Sequence, residues 1–147
     1  MKLEAIDHLC FAVRDLDRAR KAYEEDLGLE IDGLYVSKTE RIRVARYYVG
    51  GVALELIEPT SPDSEVARFL DKRGEGFYLI SYRVGNVDEA LSELRSKHVK
   101  TIDRVPRRLK GNSYAFIHFP RDLSGVLTEV LDGEFDYDEE ENEQEAD

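Results

Sequence analysis

His8, Glu55 and Glu129 give this chain its means of doing chemistry: one imidazole and two carboxylates, each in a stretch that reads as a buried strand. In residues 5–13, Ile6, His8, Cys10 and Ala12 alternate with Ala5, Asp7, Leu9, Phe11 and Val13. Both faces are largely apolar, so the strand is buried and His8 shares a face with Ile6 and Cys10. In residues 52–57, Glu55 lies on a face with Ala53 and Ile57. A carboxylate there is costly unless it is paired, hydrated or bound to a cation. Cys10 reads as a small buried apolar residue, because Leu9 and Phe11 do nothing to lower a thiol pKa.

The elements that hold these residues occur twice. At an offset of 71, Val13, Asp17 and Ala19 fall on Val84, Asp88 and Ala90, and His8 falls on Leu79. At an offset of 74, Gly-Val-Ala-Leu-Glu ending at Glu55 answers Gly-Val-Leu-Thr-Glu ending at Glu129. Internal repetition of this kind fixes the architecture before any local signal does. A pseudo-symmetric pair of modules brings His8, Glu55 and Glu129 together, with Leu79 in the fourth corner.

Each copy reads βαβββ, so the fold class is α+β. In the first, Asp15 caps a helix with the stripe Leu16, Ala19, Tyr23 and Leu27, which Gly28 ends. Strands follow at 34–37, 42–49 and 52–57, the last two joined by Gly50-Gly51. Ser64 caps a short helix bearing Val66, Phe69 and Leu70. The second copy has a strand at 77–84, a helix opening on Asn86 and Glu89, and strands at 100–102, 114–119 and 125–131. The organisation is one domain, 1–133, made of modules 1–60 and 76–133 joined by a linker and helix at 61–75. The run 106–112 reads as a loop, either a solvated turn or a clamp in which Arg107, Arg108 and Lys110, with Arg46, contact an anionic substituent.

The net charge of -11 is a property of one end. Nine of the 32 acidic residues fall in 134–147, which has no Lys or Arg, leaving 23 acids against 21 bases before it. That segment is read as a mobile acidic tail. A nearly neutral body argues against nucleic acid as a partner. No run reaches membrane-spanning length and no signal-peptide core follows Met1. A single cysteine fits a reducing compartment, so the expected location is cytoplasmic.

The phrase Ile6-Asp7-His8 followed by Asp15-Leu16, within a repeated βαβββ pattern, resembles the vicinal oxygen chelate superfamily of glyoxalase I and extradiol dioxygenases. The closest likeness is to the methylmalonyl-CoA epimerase family. It rests on Glu58-Pro59-Thr60-Ser61-Pro62-Asp63-Ser64, the stretch from Val66 to Gly76, Ala115-Phe116-Ile117-His118, and Gly125-Val126-Leu127. The resemblance implies a cup-shaped, half-open barrel of mainly antiparallel strands with helices outside. It also implies a divalent metal held by His8, Glu55, the residue at 79 and Glu129. Where similar epimerases carry Gly-Leu-His-His, this chain has Gly76-Phe77-Tyr78-Leu79, so one ligand position holds Leu79. The remaining set is oxygen-rich and favours Mn, Mg or Co, with Ni and Zn as further candidates. The implied chemistry is proton transfer on a small acyl thioester or carbonyl compound, with Glu129 as ligand and base and Glu40 as the nearest candidate for the opposing base. The alternative is a metal-free small-molecule binding protein of the same superfamily, its ligand contacted by Leu79, Arg46, Arg107, Arg108 and Lys110. Sheet edges left by two half-barrel modules point to a homodimer.

Overall fold

The computed structural model describes residues 1–117 and 123–141. The expected strand end at 118–119 and the last tail residues, 142–147, lie outside the described residues. The expected βαβββ order appears twice: β1 (Ala5–Ala12), α1 (Leu16–Lys21), β2 (Gly33–Ser37), β3 (Ile42–Val49) and β4 (Val52–Pro59), then α2 (Glu65–Arg73), then β5 (Gly76–Arg83), α3 (Val87–Ser96), β6 (Arg107–Leu109), β7 (Asn112–Ile117) and β8 (Leu127–Gly133). The fold is α+β. No helix among the described residues is long and apolar enough to cross a membrane.

Two compact units divide the chain within β1 and β5 rather than at the linker. One holds residues 9–78 with Glu141, the other 1–8 and 79–140. In the first, strands follow the order β2-β3-β4-β1. The two-residue turn at Gly50-Gly51 sets the β3–β4 register, pairing Val49 with Val52 and hence Arg46 with Glu55. Its core is Val13, Leu16, Ala45, Tyr47 and Leu56, with Tyr23 and Leu29 against it. Asp15 caps α1 by accepting from Arg18 N at 3.1 Å. The expected Leu27 stripe position is 68% exposed. After Lys21 the helix widens into a π turn, Ala22–Asp26, with Leu27 N donating to Ala22 O at 3.1 Å. The extra residue in that turn rotates Leu27 outward, and Leu29 takes its place on the core.

In the second unit the order is β5-β8-β7-β6, β5 and β8 parallel and the others antiparallel. The core forms where Val87, Ala90, Leu91 and Leu94 of α3 pack on Ala115, Ile117 and Val130. The expected strand at 100–102 is reduced to a single bridge between Thr101 and Ile117, and the basic stretch read as a loop is instead β6. Lys110 and Gly111 both take positive φ, 49° and 86°, and make the tight turn that locks Arg107 opposite Tyr114. A lysine in that conformation leaves no sequence signal.

The acidic tail, expected to be mobile, makes specific contacts over its described part. Asp136 N donates to Lys110 O at 2.7 Å, and the rings of Phe135 and Tyr137 meet edge to face at 4.7 Å. In the other unit, Glu141 accepts from Ser37 Oγ and from Lys38 N at 2.9 Å.

Candidate functional site

The unit containing β5 and β8 builds its polar cluster from strand register. Ser81 lies opposite Glu129 and Leu79 opposite Leu127, so Leu79 and Ser81 share the face toward which Glu129 projects. Ser81 Oγ donates to Glu129 Oε1 at 2.8 Å. The His8 ring comes from β1: Nδ1 donates to Asp7 Oδ2 at 2.8 Å, and Nε2 stands 3.6 Å from Glu129 Oε1. Arg83 Nη2 holds Asp7 in turn, at 3.2 Å. A carboxylate on Nδ1 fixes the orientation of the ring, with Nε2 facing Glu129. His8, Ser81 and Glu129 are buried.

The unit containing β3 and β4 surrounds Glu55 with donors. Arg46 Nη1 donates to Glu55 Oε2 at 2.8 Å, and Tyr35 OH to the same oxygen at 2.9 Å. Cys10 Sγ lies 3.4 Å from Oε1 as a weak donor. Arg46 also donates to Tyr48 OH at 3.1 Å and stacks its guanidinium 5.2 Å over that ring. Both members of the Arg46–Glu55 pair are buried, and burial together with the Glu55 charge pushes the Tyr35 phenol well above its ordinary pKa. Tyr35 is therefore a neutral donor. Arg46, expected to contact a ligand, bonds both Glu55 and Tyr48.

The remaining expected residues are placed as follows. Leu79 is buried. Glu40 sits in the turn after β2, its N–H donating to Ser37 Oγ at 3.0 Å. Arg107 is held by Asp103 at 2.8 Å and lies over the Phe116 ring. Arg108 forks onto Glu139 at 3.0 and 3.1 Å, and Lys110 Nζ donates to the carbonyls of Tyr137 and Glu139. Ser81 and Tyr35 escaped the sequence reading, yet the offset that carries His8 onto Leu79 also carries Cys10 onto Ser81.

The superfamily resemblance implies a divalent metal, and the donor sets fit it unequally. His8 Nε2 and Glu129 Oε1 are separated by about what two ligands of one ion span, roughly 3.4 Å for bonds of about 2.1 Å in tetrahedral geometry. Asp7 supplies the carboxylate that commonly backs a ligating histidine. Glu55, by contrast, already carries the charge of Arg46, which weakens it as a ligand.

A family profile described as the Glyoxalase/Bleomycin resistance protein/Dioxygenase superfamily matches residues 7–116. The chain belongs to this superfamily. It is 38% identical over 131 residues to the uncharacterized protein YqjC of Bacillus subtilis, covering 88% of this chain and 93% of that one. Among solved structures, the methylmalonyl-CoA epimerase of Mycobacterium tuberculosis is 32% identical with a TM-score of 0.83, covering 90% of this chain and 89% of that one. A methylmalonyl-CoA epimerase in complex with methylmalonyl-CoA and NH4+ is 34% identical with a TM-score of 0.82, covering 88% of this chain and 94% of that one.

Proposed function

We propose that this superfamily member binds a small acyl thioester or carbonyl compound, acyl-CoA among them, and transfers a proton at the carbon next to the carbonyl. In this reading a divalent cation is held by His8, Glu55 and Glu129, and Mn, Co or Mg suits the oxygen-rich set better than Ni or Zn. The supporting observation is the backed imidazole: His8, fixed by Asp7, turns Nε2 toward Glu129 in a chain whose solved relatives include an epimerase with methylmalonyl-CoA bound.

The chemistry then divides among named residues. When bound, the cation supplies charge stabilisation to the enolate oxygen. Glu129 takes the proton from the carbon between thioester and carboxylate, and the C–H electron pair passes into the enolate. Ser81 fixes the plane of the Glu129 carboxylate by its hydrogen bond. Glu40 is the proposed opposing base, returning a proton on the other face and inverting the carbon. Leu79 in place of a fourth donor makes the site weaker than a closed one. A homodimer, expected from the sheet edges, is also proposed: β2 ends its sheet with Leu34 and Val36 exposed, and light scattering of the purified chain reads the mass directly.

The second reading is metal-free ligand binding, and the Arg46–Glu55 pair favours it, because a guanidinium already supplies the positive charge at that carboxylate. Deuterium wash-in at the methylmalonyl-CoA carbon decides between them. The wild type with added Mn or Co should take up deuterium, and Glu129→Gln should not. No uptake with Mn, Co, Mg, Ni or Zn, alongside a thermal shift with acyl-CoA, would establish the metal-free reading instead.

A further inference from the structure

We infer that Arg108 and Lys110 form a binding site for a phosphate-rich anion, and that the acidic tail is its tethered occupant. The inference rests on the acyl-CoA reading above for the identity of the natural ligand, since coenzyme A carries such a group. The sequence leaves residues 106–112 as either a solvated turn or an anion clamp, and in the folded chain Arg108 and Lys110 are engaged by the chain's own acidic end.

The contact has the form of ligand recognition. Arg108 meets Glu139 through two parallel bonds, Nε to Oε1 at 3.0 Å and Nη2 to Oε2 at 3.1 Å, the fork a guanidinium also presents to phosphate oxygens. Lys110 Nζ donates to the carbonyls of Tyr137 and Glu139, both at 3.1 Å. Arg107 bonds Asp103 and lies over the Phe116 ring.

The route of the tail is built into the fold. A Cβ on Gly111 would run into the Glu134 carbonyl, and one on Gly133 into the Gly111 carbonyl, so two glycines at positive φ let the tail cross the β6–β7 turn. Asp138 N donates to Asp136 Oδ1 at 2.9 Å, forming a turn that brings Glu139 back toward Arg108.

The pairing is also exchangeable. The Arg108 side chain is 57% exposed and that of Glu139 27%, so solvent and salt screen their attraction. A single carboxylate holds its place chiefly because it is tethered, which gives it an effective concentration in the millimolar range. A free ligand with several phosphate charges displaces it once the ligand's concentration relative to its own Kd exceeds the tail's effective concentration relative to the Kd of the tail contact. The tail therefore raises the concentration at which such a ligand binds.

Calorimetric titration of the full chain with inorganic pyrophosphate and with coenzyme A tests this. Glu139→Gln keeps the shape and removes the charge, and should bind both probes about tenfold more tightly than the wild type. Arg108→Gln should weaken both, and adding Glu139→Gln to it should change nothing further. Unchanged affinity in Glu139→Gln, or full affinity in Arg108→Gln, would overturn the proposal. Arg108 is exposed and Glu139 half-buried, and an unchanged thermal midpoint verifies that each variant folds. Pyrophosphate has no acyl group: tighter pyrophosphate binding without deuterium wash-in would retain this site and reject the proton-transfer reading, and the converse result would do the opposite.

Discussion

Cys10 and Ser81 occupy equivalent positions 71 residues apart, and each donates to the carboxylate of its own unit: Cys10 Sγ to Glu55 Oε1 at 3.4 Å, Ser81 Oγ to Glu129 Oε1 at 2.8 Å. The geometry is shared but the chemistry is not, since a thiol is a weak donor and a hydroxyl an ordinary one. Ser81→Ala should cost about 1 kcal/mol of stability and lower the proposed deuterium wash-in rate by loosening Glu129. Cys10→Ser should leave the stability within about 1 kcal/mol of the wild type, because the donor is kept. Equal wash-in rates for Ser81→Ala and the wild type would remove Ser81 from a positioning role.

Across the β3–β4 ladder, Arg46 and Glu55 form an ion pair with both side chains 4% exposed. Removing one partner strands a charge in a buried position. Arg46→Ala should therefore destabilise by about 3–5 kcal/mol, lowering the thermal midpoint by roughly 10 °C. Replacing both with leucine should recover most of that loss, since the cost lies in the uncompensated charge and not in the absence of a bond. A midpoint for Arg46→Ala within about 1 °C of the wild type would mean that water reaches Glu55 and that the pair does not hold the fold.

That pair was within reach of the sequence. A two-residue turn at Gly50-Gly51 pairs Val49 with Val52, and counting outward pairs Arg46 with Glu55. Local chemistry was equally legible at Asp15, Ser64 and Asn86, each of which caps the helix expected of it. Illegible features share a cause: they depend on conformations or partners that leave no local mark. Lys110 at positive φ turned an apparent loop into β6, the π turn after Lys21 swung Leu27 into solvent, and Glu139 was readable as an acid but not as the partner of Arg108.

Asp7 bonds His8 Nδ1 at 2.8 Å and is itself held by Arg83 at 3.2 Å. Asp7→Asn keeps the size of the side chain but removes the charge that orients the ring. If His8 ligates a cation as proposed, Mn or Co affinity should fall about 10- to 100-fold in this variant, with the thermal midpoint of the metal-free protein nearly unchanged. Calorimetry with each metal gives the affinity. Equal metal affinity in Asp7→Asn and the wild type would place the cation elsewhere or nowhere.

Tyr47 is fully buried in the first unit's core and donates its hydroxyl to Glu24 Oε2 at 2.8 Å. Burial, with the Glu24 carboxylate beside it, pushes the phenol up to about 12. The folded state thus binds this proton more tightly than the unfolded chain, whose phenol titrates near 10. The resulting stabilisation is fully present below about pH 10 and is lost as the pH rises toward 12, by up to about 2 kcal/mol. Glu24 has the opposite sign: the Arg20 guanidinium holds its carboxyl below the usual range, so its contribution persists at neutral pH and fades only in acid. Thermal midpoints measured from pH 9 to 12 should therefore fall more steeply in the wild type than in Tyr47→Phe, which has no phenol to ionise at this position. Absorbance titration of the phenolates should show one late-ionising group missing from the variant. Parallel midpoint curves would mean that Tyr47 ionises as freely in the fold as out of it.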